Sequence, residues 1–245
     1  MVVNRPLSLV TGGSRGIGAA TVRRLAAAGH DVVIGYRTDV ESAQALADEV
    51  TRQGSRAQAV AADVTDPGDV DALFDAAARI GQLTGVVNNA GATLHLGDLA
   101  DTPVEVIRRV VELNLTAAIY VARRAARDLG QGGVLVNISS AAATLGSPHE
   151  YVHYAAAKAG VDALTQGLAQ EVAGRGIRVN GVAPGIVRTG IHADAGEPDR
   201  VERVGPLVPL GRVGEPEEVA EAIAWLLSDA CPYVTGATLR VAGGR

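Results

Sequence analysis

The sequence predicts a doubly wound α/β domain: a mainly parallel, seven-stranded sheet with helices on both faces. Seven short runs rich in β-branched residues alternate with alanine-rich segments of helical periodicity. The runs are apolar throughout rather than alternating, as strands covered on both faces must be. Strand and helix alternate along the whole chain, the pattern of repeated strand, crossover helix and strand units. With 245 residues and no break in composition, the chain reads as one domain over 1–245.

The first strand is expected at 7–10, where Leu7-Ser8-Leu9-Val10 precedes a glycine-rich turn, and the first helix at 16–28, stopped by Gly29. A second strand at 31–35 and a helix at 40–53 come next, then a strand at 57–61. Asp66-Pro67 opens a helix at 68–79, the proline supplying the fixed φ of a first turn. A strand at 84–87 leads to a long helix at 103–129, opened by Pro103. The fifth strand, 134–138, precedes a helix at 153–174, the sixth strand spans 177–183, and Pro216 opens a last helix at 216–228 before a strand at 238–241. The stretch 190–214 is rich in Gly, Pro and charge, with at most a short helix near 199–204. So long an irregular segment inside a compact domain reads as a functional lid.

Composition narrows the function classes. Hydrophobic residues make up 47% and charged residues 20%, enough for a substantial core. A net charge of -5 with no run of five or six like charges argues against a nucleic-acid or membrane surface. The opening Met1-Val2-Val3-Asn4-Arg5-Pro6 has no apolar stretch of signal-peptide length, and no window reaches the length of a membrane span, so the protein is expected to be cytoplasmic. The single cysteine, Cys231, fits a reducing compartment and leaves no thiol cluster for zinc or iron and sulfur. His95, His149, His153 and His192 show no metal-ligand spacing, and no metal is expected.

The segment Thr11-Gly12-Gly13-Ser14-Arg15-Gly16-Ile17-Gly18 joins the first strand to the first helix. Glycines there let the backbone turn sharply and approach a pyrophosphate, whose charge suits the unpaired N–H groups at a helix start. The spacing differs from the general dinucleotide fingerprint, yet the strand before and the helix after it supply the right context. The tip of the second strand, Ile34-Gly35-Tyr36-Arg37, carries no acid for an adenosine ribose. Arg37, joined by Arg15, could clamp a 2′-phosphate, so NADP(H) is favoured over NAD(H). Asp39 is the counter-indication, because a small shift of the turn would bring it to the ribose.

Of 22 basic residues only one is a lysine, Lys158, and it stands four places after Tyr154 in a helical segment. That spacing puts both side chains on one helix face. An adjacent ammonium favours phenolate over phenol, making Tyr154 a candidate general acid for carbonyl reduction and general base for alcohol oxidation. Tyr151 has Ala155 four places on, and so lacks a basic partner at that spacing. Ser139 and Ser140 come after the fifth strand, where doubly wound sheets present residues to ligand. A hydroxyl there could stabilise charge growing on a carbonyl oxygen.

Together these motifs resemble the short-chain dehydrogenases/reductases over essentially the whole chain. The resemblance implies a Rossmann-type domain in which Gly12, Ser14, Arg15, Gly16, Ile17 and Gly18 hold cofactor phosphates. Asp63-Val64 resembles the family's adenine-contacting pair, and Asn88-Asn89-Ala90-Gly91 is similar to the tetrapeptide that steadies the central sheet, with Asn89, Ala90 and Gly91 beside the cofactor. Asn114, Ser140, Tyr154 and Lys158 fall on the catalytic tetrad; Lys158 is implied to bind the nicotinamide ribose and lower the tyrosine pKa, and Asn114 to hold a water that links the lysine to solvent. Pro184, Gly185, Val187 and Thr189 match the segment that fixes the nicotinamide, with the substrate lid after it. Val241-Ala242-Gly243-Gly244 departs from many relatives, which carry an aspartate at the position of Ala242. That change is expected to touch the C-terminal assembly region rather than the chemistry.

The implied activity is interconversion of a ketone or 3-oxoacyl carbonyl and a secondary alcohol by a homotetramer, with helices 103–129 and 153–174 as the pairing surfaces. An acyl carrier protein is an open but unsupported partner. Sugar, polyol, steroid-like and polyketide-type substrates fit the same motifs, some with NAD. The different class of function is an NADP-binding scaffold without turnover, against which four intact tetrad positions count; an epimerase or dehydratase would need a larger C-terminal substrate region.

Overall fold

A computed structural model describes residues 5–245; the first four residues of the opening hexapeptide lie outside them. The seven strands are β1 (Leu7–Val10), β2 (Asp31–Tyr36), β3 (Ala57–Ala61), β4 (Leu83–Asn88), β5 (Val134–Ile138), β6 (Arg178–Pro184) and β7 (Thr238–Val241). They form one sheet in the order β3-β2-β1-β4-β5-β6-β7, and every pairing is parallel.

The helices are α1 (Gly16–Ala27), α2 (Val40–Arg52), α3 (Pro67–Ile80), α4 (Val104–Val111), α5 (Ala117–Asp128), α6 (Ala142–Leu145), α7 (Val152–Val172), α8 (Ile191–Asp194), α9 (Arg200–Val204) and α10 (Pro216–Leu227). Pleating sends neighbouring strand residues to opposite faces. Val10, Val32 and Ile34 join a core with Val22 and Leu25 of α1, Leu46 of α2 and Ile223 of α10. Leu9 and Val33 face the other way, onto Phe74 of α3, Val121 of α5 and Val172 of α7. The apolar runs of the inner strands are thereby explained, since both of their faces are covered, whereas the edge strands β3 and β7 are partly to largely exposed.

Side chains set several boundaries. Asp66 accepts hydrogen bonds from Gly68 N at 2.7 Å and Asp69 N at 3.1 Å, and Pro67 sits inside the start of α3. Glu215 and Glu218 form a reciprocal capping box around Pro216 at the start of α10.

The long helix expected at 103–129 is broken by a π-helical segment, Glu112–Thr116, between α4 and α5. It contains the buried Asn114, whose Nδ2 donates to Ala92 O at 2.7 Å and Val110 O at 2.9 Å, while its Oδ1 accepts from Ala92 N at 3.2 Å. These bonds tie a buried polar side chain to a chain segment 22 residues away, which no helical periodicity reveals.

The irregular stretch 190–214 contains α8, α9 and a 3-10 turn, Gly205–Leu207. The α9 helix falls where the sequence places a short helix; α8 is additional. Among the described residues, no helix is long and apolar enough to cross a membrane.

Candidate active site

Strand order reverses direction between β1 and β4, since β1 continues outward to β2 on one side and β4 to β5 on the other. Crossover helices leave a crevice at the carboxyl ends of strands at such a point. A cleft of about 680 Å³ opens there, running from Arg37 and Asp63 across the glycine turn to Tyr154, Lys158 and Thr189.

Its floor requires glycine. A Cβ on Gly18 would lie 2.2 Å from Gly12 O, and one on Gly12, which has φ +61°, would lie 3.1 Å from Ala90 Cα. The N-cap residue of α1, Arg15, makes no side-chain capping bond, and the first turn carries no acid. The helix therefore presents its first N–H groups and the positive end of its dipole toward the turn, where a pyrophosphate would bind. Thr11 Oγ1 accepts from Asn89 N at 2.9 Å and Ala90 N at 3.1 Å, and Asn89 Nδ2 donates to Thr11 O and Gly12 O. Beneath them Asn88 donates to Asn137 Oδ1 at 3.0 Å, and Asn137 to Thr165 Oγ1 at 3.0 Å, a buried relay from β4 through β5 to α7.

At the adenosine end, Arg37 is exposed at the tip of β2. Asp39 is committed elsewhere: it caps α2, its carboxylate accepting from Ser42 N at 3.0 Å, and that bond holds its pKa below the usual range. Asp63 is also held low: burial works against ionisation, but hydrogen bonds from Thr65 and the charges of Arg109 and Arg37 outweigh it. Arg15 reaches from the glycine turn to Asp194 of α8 at 2.6 Å, a link between turn and overlying segment. The residues present thus fit a dinucleotide.

At the other end Tyr154 and Lys158 lie on α7, buried at 7% and 4% exposure. Lys158 Nζ donates to Ile138 O at 2.8 Å and sits 5.7 Å from the Tyr154 ring centroid. Burial lowers the lysine to about 8. Burial raises the tyrosine above its ordinary value, opposed by a hydrogen bond with Ser140. At this distance Lys158 does not offset the desolvation of the phenol, in contrast to the sequence expectation of a lowered tyrosine. The two serines divide: Ser139 is buried with its hydroxyl directed to Lys158 O at 3.3 Å, whereas Ser140 is half-buried beside the phenol.

Every residue expected at the site lines this cleft except Asn114. Asn114 lies one layer behind, 1% exposed, and a Cβ on Gly91 would fall 2.6 Å from its Oδ1 and 3.4 Å from Lys158 Nζ. Gly91 keeps that space open. Ala242 packs against Gly185, where a Cβ would meet its Cα at 2.8 Å, because parallel pairing of β7 with β6 brings the two together. It thus backs the segment expected to face the nicotinamide. Sequence reasoning missed Arg109, Leu94, Leu96, His192, Tyr151 and Arg200, all of which line the cleft. Tyr151 does have a basic partner, Arg200, but 49 residues away, beyond any helical spacing.

Comparison with known proteins bears on this geometry. A family model described as "Enoyl-(Acyl carrier protein) reductase" matches residues 12–245. The chain is 44% identical to "Uncharacterized oxidoreductase YgfF" of Escherichia coli, over 98% of this chain and 99% of that protein. It is 45% identical to "3beta-hydroxysteroid dehydrogenase 1" of Eggerthella lenta, over 96% and 92%. Among solved structures, a short chain dehydrogenase from Burkholderia cenocepacia in complex with NADP superposes with a TM-score of 0.91 at 37% identity, covering 98% of this chain and 97% of that one.

Proposed function

Because the chain belongs to the short-chain dehydrogenases/reductases, a family of nicotinamide-dependent oxidoreductases, we propose that it interconverts a ketone and a secondary alcohol with NADP(H), Tyr154 acting as general acid and base. The observation that carries this reading is the buried phenol of Tyr154 beside Ser140, on the same helix and in the same cleft as Lys158 and the glycine turn.

When bound, the nicotinamide supplies or accepts the hydride. The protein's part is to hold the carbonyl oxygen, using the Ser140 hydroxyl and the Tyr154 phenol, and to deliver a proton to it. A phenol kept protonated by burial suits the acid role in reduction. Donors fixed before reaction stabilise the charge that develops on that oxygen. Lys158, held by Ile138 O, is positioned to bind a ribose hydroxyl and bring positive charge toward the phenol. Asn114 is assigned to hold a water that links the lysine to solvent; a Cβ on Gly91 would crowd its Oδ1. Val187 and Thr189 are assigned to the carboxamide, Asp63 and Val64 to adenine.

Arg37 and Arg15 are assigned to the adenosine phosphate, and the capping bond of Asp39 supports NADP(H) over NAD(H). The 3-oxoacyl class fits within the assigned chemistry, but Leu94, Leu96, Ile186 and Ile191 give the substrate end an apolar character that favours a less polar ketone over a sugar. A homotetramer is part of this reading; of the two segments expected to pair, 103–129 carries the exposed Val104 and Ile119. The test is cofactor oxidation over a panel of ketones and 3-oxoacyl thioesters, with NADPH and NADH in parallel, for the wild type and Tyr154→Phe. NADPH-preferring turnover that the substitution abolishes is expected; retained turnover in Tyr154→Phe excludes the assignment.

A further inference from the structure

Arg200, on α9, is 1% exposed and enters the wall of the cleft. Its guanidinium is paired with Glu150 at 2.7 Å and Glu197 at 2.7 Å, and lies 5.3 Å from the ring centroid of Tyr151. Its Nη2 is 3.2 Å from the Tyr151 hydroxyl. Tyr151 in turn meets Tyr154 edge to face, ring centroids 5.3 Å apart at 84°.

The direction of the Arg200 to Tyr151 bond decides what the wall can do. A guanidinium only donates, so the phenol oxygen accepts, and its own proton is left to donate elsewhere. No acceptor for that proton is found among the described residues. A largely buried hydroxyl with an unused donor, facing a cleft, is complemented by a ligand that brings an acceptor. Two carboxylates surround the single guanidinium, so the wall does not attract an anion. Leu96 packs in the same cluster as Tyr151, and Leu94, Ile186 and the half-buried His192 line the same cleft.

We propose that Tyr151 is a specificity-determining donor and Arg200 its positioning residue, selecting an otherwise apolar carbonyl compound that carries a second, neutral oxygen acceptor. This rests on the reading of Tyr154 as the acid that serves the reacting carbonyl. Arg200 fixes the Tyr151 hydroxyl from the overlying segment, and the edge-to-face contact sets its distance from Tyr154.

The test uses isosteric pairs differing only by an ether oxygen remote from the ketone: 5-methoxypentan-2-one against heptan-2-one, and 4-methoxycyclohexanone against 4-ethylcyclohexanone. The wild type should favour the ether member of at least one pair in kcat/KM. Tyr151→Phe, which keeps the ring, should erase that preference by about 10-fold while changing turnover of the alkyl member by less than about 3-fold. Arg200→Met should act the same way and Arg200→Lys should recover part of the preference; should Arg200→Met not fold, Tyr151→Phe alone decides. Equal losses on both members of both pairs, or no preference in the wild type, overturn the proposal, because a purely structural role moves both members alike. Turnover that survives Tyr154→Phe instead overturns the underlying reading of the acid.

Discussion

Lys158 Nζ donates to the carbonyl of Ile138, the last residue of β5, at 2.8 Å. The bond pins the only lysine of the chain between α7 and the strand end that bears Ser139 and Ser140, and it holds an ammonium where water scarcely reaches.

That burial has a signed consequence. Lys158 is lowered to about 8 from 10.5, so between these values the unfolded chain binds more protons and stability rises with pH; below about 8 both states are charged and the full penalty applies. The penalty is on the order of 3 kcal/mol, reduced in a variant by the lost bond to Ile138, worth about 1 kcal/mol. Lys158→Met should therefore be more stable than wild type by about 1–2 kcal/mol at pH 7, a gain that shrinks from pH 8 to 10 in urea unfolding, while turnover falls by about 100-fold or more.

Cofactor choice should track the two arginines and not Asp39. Arg37→Ala and Arg15→Ala should each weaken NADPH about 10- to 100-fold, as expected for charge-assisted bonds, with NADH changed little. Asp39→Ala should leave NADPH preferred and cost about 1 kcal/mol of stability through loss of the α2 cap. Fluorescence titration of both nucleotides and thermal unfolding separate the two effects.

The glycine turn should tolerate no side chain. Gly18→Ala places a Cβ against Gly12 O and should abolish nucleotide binding and lower stability. Gly174 has open space around its position and no positive φ, so Gly174→Ala should bind normally and gain about 0.4–1 kcal/mol. Calorimetric titration with NADPH reads both.

Asn114 fills the π-helical segment with three hydrogen bonds to the chain. Asn114→Leu leaves the partly buried Ala92 N and O without their partner and should cost about 1–3 kcal/mol. Hydrogen exchange should show lost protection at Ala92 and across 112–116.

The strands were legible because burial on both faces writes itself into continuous apolar runs such as Val134–Ile138. Tyr154 and Lys158 were legible because one helix turn separates them. What escaped was set by distant partners. Asn114 is tied to Ala92, Tyr151 acquires Arg200 from the overlying segment, and Ala242 meets Gly185 only once β7 joins β6. No local pattern carries such contacts. Boundaries moved where pairing decided them: β4 runs to Asn88 because it pairs in register with Asn137 of β5.

The π-helical segment also fixes the length of the chain between two parts of the molecule. It holds one residue more than a regular turn, and each residue rotates the rest of the helix by about 100°. Removing a single residue from 112–116 would restore regular hydrogen bonding along the helix and, by the same step, swing Ala117, Val121 and Ala125 of α5 out of their core. The helix is thus locally irregular so that its second half can stay in phase with the sheet, and deletion there should be more harmful than insertion of a residue in the exposed turn at 131–132.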